Sequence, residues 1–182
     1  TALLCPEWHE RLGEGERNIP AVRAPDGTLV YLIEPDPNGR TIYDDDFILF
    51  SDEAPPSLVT SVDHVAQALP TGRMDNFVLF YRAVFGFSPD QLWEIPDPYG
   101  LVRSRTMVSA DRTVRLPLHV SESREPATGR FLPTYAGAGV PHTATPTEEL
   151  IRAAEQASAR RARIRRLPGN YDADAVSRRY RR

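Results

Sequence analysis

Apolar residues recur at intervals of three and four between residues 73 and 87, which is the pattern of an amphipathic helix. Gly86 follows as a suitable terminator. The apolar face comprises Met74, Phe77, Val78, Tyr81, Val84 and Phe85. The flanking sequence changes to short apolar or alternating runs, which are typical of strands. These runs cover residues 59–69, 91–95, 100–109 and 113–120. The centre of the chain therefore predicts one strand, one helix and three further strands.

The beginning of this unit occurs a second time. Residues 139–145 predict a strand, and a helix is expected from Thr145 to residue 162. Thr145 can cap this helix, Pro146 suits its first turn, and Glu148 completes a capping box. A short strand over 164–167 and a polar helix follow. The strands that would finish the second unit are not found before Arg182.

The N-terminal part resembles the end of an earlier unit. Asp26-Gly27 predicts a hairpin over residues 18–34, and residues 47–50 predict a short strand. We therefore divide the chain into three parts. Residues 1–57 are the end of a preceding unit plus a linker, residues 58–136 are a complete unit, and residues 137–182 begin a paired one.

Each of the two repeated first strands carries one histidine, His64 in the first and His142 in the second. A single strand histidine is usually a hydrogen-bonded core residue. Two histidines at matching places in two copies of one unit instead favour ligands of a metal ion held between pseudo-symmetric halves. We therefore interpret both as metal ligands.

Composition and charge exclude several classes of protein. No apolar run approaches the roughly 18 residues of a membrane-spanning helix. Cys5 is the only cysteine, so an internal disulfide is excluded and a reducing cytoplasm is expected. The 22 basic residues are all arginine, and ten of them follow residue 150. No aromatic residue lies among Arg160 to Arg166, so this stretch is interpreted as a solvated helix face and not as a nucleic-acid site.

Several segments resemble the vicinal oxygen chelate superfamily and, within it, the 4-hydroxyphenylpyruvate dioxygenase family. They are Asp63-His64-Val65, residues 80–87, Leu116-Pro117-Leu118 and residues 137–144. The chain is also similar to the C-terminal half of two-domain bacterial 3-dehydroshikimate dehydratases, over residues 19–23, 63–70, 96–105, 115–118 and 121–124. The resemblance implies an α+β fold of paired βαβββ modules. In it, an open curved mixed sheet with flanking helices surrounds a metal, and the first and last modules are incomplete here.

The resemblance also implies a metal site of two histidines and one carboxylate. His64 and His142 match the two imidazole ligands. The family's glutamate lies on the last strand of the second module, so we expect it beyond Arg182. Glu122 is an alternative, whereas Glu148 and its neighbour at a helix start are explained by capping. The implied cofactor is a divalent metal, Fe(II) by family resemblance, with Mg, Mn and Co as other options.

The substrate side of the site departs from the dioxygenase pattern. His119 stands where the dioxygenases carry an asparagine, and Pro141 stands where they carry a glutamine. Strand alternation places Arg115 and His119 on one face, where they can meet an anionic ligand or simply face solvent. Arg103 and Arg105 recur with Arg115 at alternate positions of neighbouring strands. The three arginines either bind a carboxylate together or are exposed.

Three functions follow from the resemblance. The first is a metal-binding domain of a 3-dehydroshikimate dehydratase, a lyase that forms protocatechuate in aromatic catabolism. The second is an Fe(II) dioxygenase that converts 4-hydroxyphenylpyruvate to homogentisate. The third is a non-catalytic module for ligand binding or oligomerisation. The expected ligand is a small 2-oxo or cyclic carboxylic acid, and the expected assembly is a cytoplasmic homo-oligomer without nucleic-acid or membrane partners.

Overall fold

A computed structural model describes most of the chain. The described residues are 13–14, 16–34, 36–48, 57–97 and 99–164. They fall into two compact units. The first contains the described residues up to Pro146, apart from residues 57–60. The second contains residues 57–60 and the described residues after Pro146.

Seven strands and four helices are described. The strands are β1 (Ala21–Arg23), β2 (Leu29–Tyr31), β3 (His64–Leu69), β4 (Ser88–Asp97), β5 (Gly100–Val108), β6 (Arg115–Ser121) and β7 (Gly139–Ala144). The helices are α1 (Ile42–Asp45), α2 (Met74–Phe85), α3 (Ala127–Tyr135) and α4 (Leu150–Ala159). None of these helices has the length and apolar content needed to cross a membrane.

The main sheet has five strands in the order β4-β5-β6-β3-β7. β3 lies between β6, to which it is parallel, and β7, to which it is antiparallel. The elements β3, α2, β4, β5 and β6 form the predicted βαβββ module, which is confirmed. β7 carries the second histidine and extends the same sheet beside β3, so the first strands of the two modules are neighbours.

Helix α2 covers one face of this sheet. Phe77 and Tyr81 are buried against sheet residues Leu69, Met107 and Leu118. The hydroxyl of Tyr81 donates a hydrogen bond of 2.8 Å to Oε1 of the buried Gln67. The helix ends as predicted at Gly86, whose φ of 69° is left-handed and suits glycine. This apolar packing covers the α2 side of β3. The histidines of the sheet lie on its opposite face.

A β-bulge interrupts the pairing of β3 with β7. Ala66 pairs with His142 and Ala68 pairs with Gly139, so one residue of β3 opposes two residues of β7. Pro141 is one of those two residues. Proline lacks the N–H of a regular ladder and is tolerated at bulges. The bulge therefore explains how β7 accommodates Pro141 beside the histidine strand.

Three details of the sequence prediction were wrong. Helix α4 begins at Leu150, with Glu149 as its N-cap and no side-chain cap. The predicted cap, Thr145, therefore does not cap α4, and the Thr147 hydroxyl accepts the Glu149 N–H at 3.2 Å in a local turn. The first histidine strand begins at His64, five residues later than expected. Val84 is exposed, and Phe80 is buried in its place.

One helix was not predicted, and several predicted elements lie partly or wholly outside the described residues. Helix α3 was not predicted, because it contains Gly129 and Pro133, which are weak helix formers. Residues 47 and 48 are not in a strand, and the rest of the strand predicted over 47–50 lies outside the described residues. The strand predicted over 164–167 also lies outside them apart from Ile164, which is not in a strand, and the final helix lies wholly outside them.

Gly129 is expected to be essential for the placement of α3. A Cβ at this position would overlap the carbonyl oxygen of Ser123 and lie 2.8 Å from Cα of Arg124. Gly129→Ala should therefore lower the free energy of unfolding by about 2 to 4 kcal/mol, as other overpacked or strained sites do. Gly137→Ala is the matched control, because beyond its chain neighbours no atom of the described residues lies within 4 Å of its added Cβ. Urea denaturation of both variants tests this, and equal stability would contradict the described position of α3.

Candidate metal centre

The registers of three strands place three histidines on one face of the sheet. Residues that pair directly across two strands point to the same face, and alternate residues of one strand do so as well. His64, Ala66 and Ala68 alternate along β3. Ala66 pairs with His142 of β7, and Ala68 pairs with His119 of β6. His64, His119 and His142 therefore share the face opposite α2.

The two predicted metal ligands lie side by side. The ring centres of His64 and His142 are 5.6 Å apart, and the ring planes meet at 82°. A metal ion lies about 2.1 Å from each imidazole nitrogen that binds it, so two rings on one ion have centres on the order of 5 Å apart. The arrangement of these two rings is thus compatible with a shared ion.

His119 extends the cluster on the other side of His142. The ring centres of His119 and His142 are 5.9 Å apart, with an angle of 29° between the planes. Nδ1 of His119 is buried and has no hydrogen-bond partner among the residues that the structure describes. A buried polar atom left unpaired costs about 1 to 3 kcal/mol, so this atom is a candidate contact for a ligand.

Burial keeps two of the imidazoles neutral. It lowers the pKa of His119 to about 4, and the neighbouring His142 and His64 lower it further. Burial also lowers the pKa of His142, with a smaller effect from His64. Neutral imidazole is the form that binds a metal ion or accepts a proton, so His142 and His119 are both in a usable state near neutral pH.

Asp63 and Arg115 complete the described cluster. Asp63 Oδ2 lies 2.7 Å from Nδ1 of His64, and its other oxygen contacts the Arg115 guanidinium. The hydrogen bond with His64, together with the charge of Arg115, holds the pKa of Asp63 below its usual value. Because Nδ1 of His64 is occupied, Nε2 is the nitrogen left to bind an ion.

The structure separates the three arginines that sequence alternation grouped together. Arg115 and His119 share a face, as alternation along β6 predicts. Arg105 pairs with Leu118, and Arg103 pairs with Val120, so both lie on the α2 face of the sheet. They line a cavity of about 280 Å³ beside the start of α2. Arg103 and Arg105 are therefore not brought together with the histidines.

Glu122 also lies away from the histidines. It lines the same cavity and forms an ion pair of 3.3 Å with Arg103. Among the residues that the structure describes, no three histidine, cysteine, aspartate or glutamate side chains are grouped closely enough to hold a metal ion. Within the described residues, the two predicted imidazole ligands therefore lie together without a carboxylate as third ligand.

Sequence reasoning missed the carboxylate that contacts His64. The signal was present, because Asp63 directly precedes His64, but adjacent residues of a strand normally point to opposite faces. Asp63 lies just before β3, where strand alternation no longer applies, and its N–H donates to the carbonyl of Ala144. Trp93 is 59% exposed and shares the histidine face, across Ser104 from His119.

Three similar proteins span much more than this chain. The 3-dehydroshikimate dehydratase of Pseudomonas aeruginosa is 44% identical over 92% of this chain, which is 26% of that protein. The 4-hydroxyphenylpyruvate dioxygenase of Pseudomonas sp. is 30% identical over 79% of this chain and 42% of its own length. A solved fusion of a xylose isomerase-like TIM barrel with a 4-hydroxyphenylpyruvate dioxygenase is 34% identical. It covers 96% of this chain and 27% of its own, with a TM-score of 0.67.

The sequence profile of one family matches residues 61–178, which include the complete module, all three histidines of the cluster and β7. The mixed five-stranded sheet with its flanking helices also has the fold of this family. The chain therefore belongs to the Glyoxalase/Bleomycin resistance protein/Dioxygenase superfamily.

Proposed function

We propose that this chain provides a divalent-metal site in which His64 and His142 are two of the protein ligands. The observation that carries the proposal is the position of their rings, 5.6 Å apart on one face of adjacent strands. The Nδ1 atom of His64 is hydrogen-bonded to the carboxylate of Asp63, as is usual for a metal-binding histidine. We expect the third ligand to be a glutamate from residues outside the described part.

Members of this superfamily generally bind a divalent metal. Two imidazoles with one carboxylate suit Fe(II), our first expectation, and leave positions for a ligand. Mg, Mn or Co are the other candidates. Such an ion supplies Lewis-acid chemistry when bound, because it polarises a coordinated oxygen. The protein's own part is to hold His64 in place through Asp63 and to keep His142 neutral.

His119 is our candidate for the residue that contacts the organic ligand. Its buried Nδ1 has no partner within the described part of the chain, and its pKa of about 4 keeps it neutral. A neutral imidazole can donate or accept one hydrogen bond at this atom, depending on its tautomer. The chemistry fits an oxygen of a small 2-oxo or cyclic carboxylic acid. Arg115 is less suited to bind an acid directly, because its charge is already paired with Asp63.

The reaction that we propose for the complete polypeptide is the conversion of 3-dehydroshikimate to protocatechuate. The 44% identity to a 3-dehydroshikimate dehydratase supports it. Since the chain spans about a quarter of that relative, we place the dehydration itself in the remaining regions that the dehydratases have. The histidine cluster is then a second, metal-binding site in the same cytoplasmic protein. We retain the homo-oligomer as an expectation.

A second candidate is oxidation of 4-hydroxyphenylpyruvate to homogentisate. The 30% identity to a 4-hydroxyphenylpyruvate dioxygenase and the pair of adjacent imidazoles favour it. The dioxygenases carry an asparagine where this chain has His119 and a glutamine where it has Pro141. These two differences argue against the same substrate. The two candidates make different products, so one experiment separates them.

We expect the complete polypeptide to form protocatechuate from 3-dehydroshikimate and to hold a divalent ion at the histidine cluster. The double variant His64→Ala/His142→Ala should contain about one ion fewer per chain, because both imidazole ligands are gone. Product analysis by chromatography and elemental analysis of wild type and variant make the test. Circular dichroism of the metal-free proteins controls for folding.

Each other outcome overturns a different part of the proposal. Homogentisate with oxygen uptake from 4-hydroxyphenylpyruvate, lost in the double variant, would establish the second candidate. Equal metal content in wild type and variant would refute the metal site. No product from either substrate, together with equal metal content, would refute both enzymatic candidates and favour the third predicted function, a non-catalytic module.

The neutral state of His119 predicts a loss of stability in acid. Its pKa is about 4 in the folded chain and about 6.5 in the unfolded one, so between these values only the unfolded chain takes up the proton. Stability should therefore fall as pH decreases from about 6.5 to 4. Since the ring is only partly buried, we expect this residue to contribute about 1 to 2 kcal/mol of the loss between pH 7 and pH 5.

His119→Asn removes the titrating group and should lose correspondingly less stability over this interval. Urea denaturation of the metal-free chain at pH 7 and pH 5 measures the difference. The lowered pKa of His142 acts in both proteins and cancels in the comparison. An equal loss in wild type and variant would show that His119 is not held neutral by the fold.

A further inference from the structure

The carboxylate of Asp63 connects two residues that are distant in sequence. Parallel pairing of Gln67 with Leu118 brings the first residues of β3 and β6 to the same end of the sheet. These first residues are His64 and Arg115. Asp63 lies beside both, and its N–H is fixed by the carbonyl of Ala144. One oxygen of the carboxylate contacts the His64 ring, and the other contacts the Arg115 guanidinium.

We propose that Asp63 is a positioning residue for His64, and that Arg115 holds the Asp63 carboxylate in place. In this arrangement Nδ1 of His64 carries the proton and donates it to Asp63 Oδ2 across 2.7 Å. The lone pair then lies on Nε2, which faces away from Asp63. The inference rests on the proposed function, because it assigns Nε2 as the atom of His64 that binds the ion.

A purely stabilising role does not account for the pair. The side chains of Arg115 and Asp63 are 44% and 33% exposed, and exposed ion pairs contribute little to stability. The contact between Arg103 and Glu94 lies on the opposite face of the sheet and is also exposed. Of these two ion pairs, the one formed by Asp63 also contacts a histidine ring. Its specific consequence is therefore the tautomer and orientation of that ring.

The tautomer of His64 tests the inference without any metal. Two-bond ¹H–¹⁵N NMR spectra of metal-free protein labelled with ¹⁵N-histidine report which ring nitrogen carries the proton, and His64→Gln assigns the signal. We expect the Nδ1–H tautomer to predominate in wild type and to give way to Nε2–H in Asp63→Ala. Asp63→Asn keeps an oxygen acceptor and should retain part of the wild-type population. Glu94→Ala, which removes the carboxylate of the other pair, should leave the His64 signal unchanged.

Titration of the same proteins with Co²⁺ gives the functional readout. Loss of a carboxylate that orients a metal-binding histidine typically weakens metal binding by about 10- to 100-fold, and we expect this of Asp63→Ala. Arg115→Ala should weaken binding less, because the carboxylate remains, and Glu94→Ala should not weaken it. If Asp63→Ala does not fold, the Co²⁺ affinity of Asp63→Asn is compared with that of wild type instead.

The outcomes distinguish this inference from the proposed metal site. Wild type that binds no Co²⁺ at the histidine cluster would refute the metal site, whatever the NMR result. Wild type that binds Co²⁺, with unchanged affinity and an unchanged tautomer in Asp63→Ala, would overturn the positioning role alone. Equal effects of Asp63→Ala and Glu94→Ala would also overturn it, because they would indicate a general loss of surface charge.

Discussion

Backbone hydrogen bonding between β3 and its two neighbours determines the rest of the site. A shift of one residue in either register would move a histidine to the face covered by α2. The register is specified from that opposite face, where Leu69, Leu118 and Met107 are buried with α2. Burial of one face of a strand strongly fixes its register, because a slip would expose the apolar side chains. The apolar core therefore places His64, His119 and His142 together, although it contacts none of them through the sheet.

The bulge in β7 adds a local adjustment to this constraint. A regular antiparallel ladder has no place for a proline in the middle of a strand that must donate its N–H. Between Ala66 and Ala68, two residues of β7 oppose one residue of β3, and Pro141 is one of the two. His142, the next residue, resumes the pairing opposite Ala66. Pro141 is thus compatible with the site, which the sequence alone did not indicate.

The parts predicted from sequence are those that depend on local pattern. The order of β3, α2 and the following three strands follows from periodicity, and the proximity of His64 and His142 follows from repetition of one unit. The face of Arg115 and His119 follows from alternation within one strand. Alternation could not relate Arg103 and Arg105 to Arg115, because that relation depends on the register between β5 and β6.

Helix α3 was missed because Gly129 and Pro133 weaken its local signal. The role of Asp63 depends on its position just outside β3, which periodicity does not define.

In the proposed metal centre, His64 and His142 bind one divalent ion. Diffraction from crystals of the protein grown with Co²⁺, measured at the cobalt absorption edge, tests this arrangement, because anomalous scattering locates the metal independently of the protein atoms. We expect an anomalous peak on the histidine face of the sheet, about 2.1 Å from Nε2 of both residues. Crystals without a peak at this position, or with a peak bound by only one of the two imidazoles, would contradict the proposed metal centre.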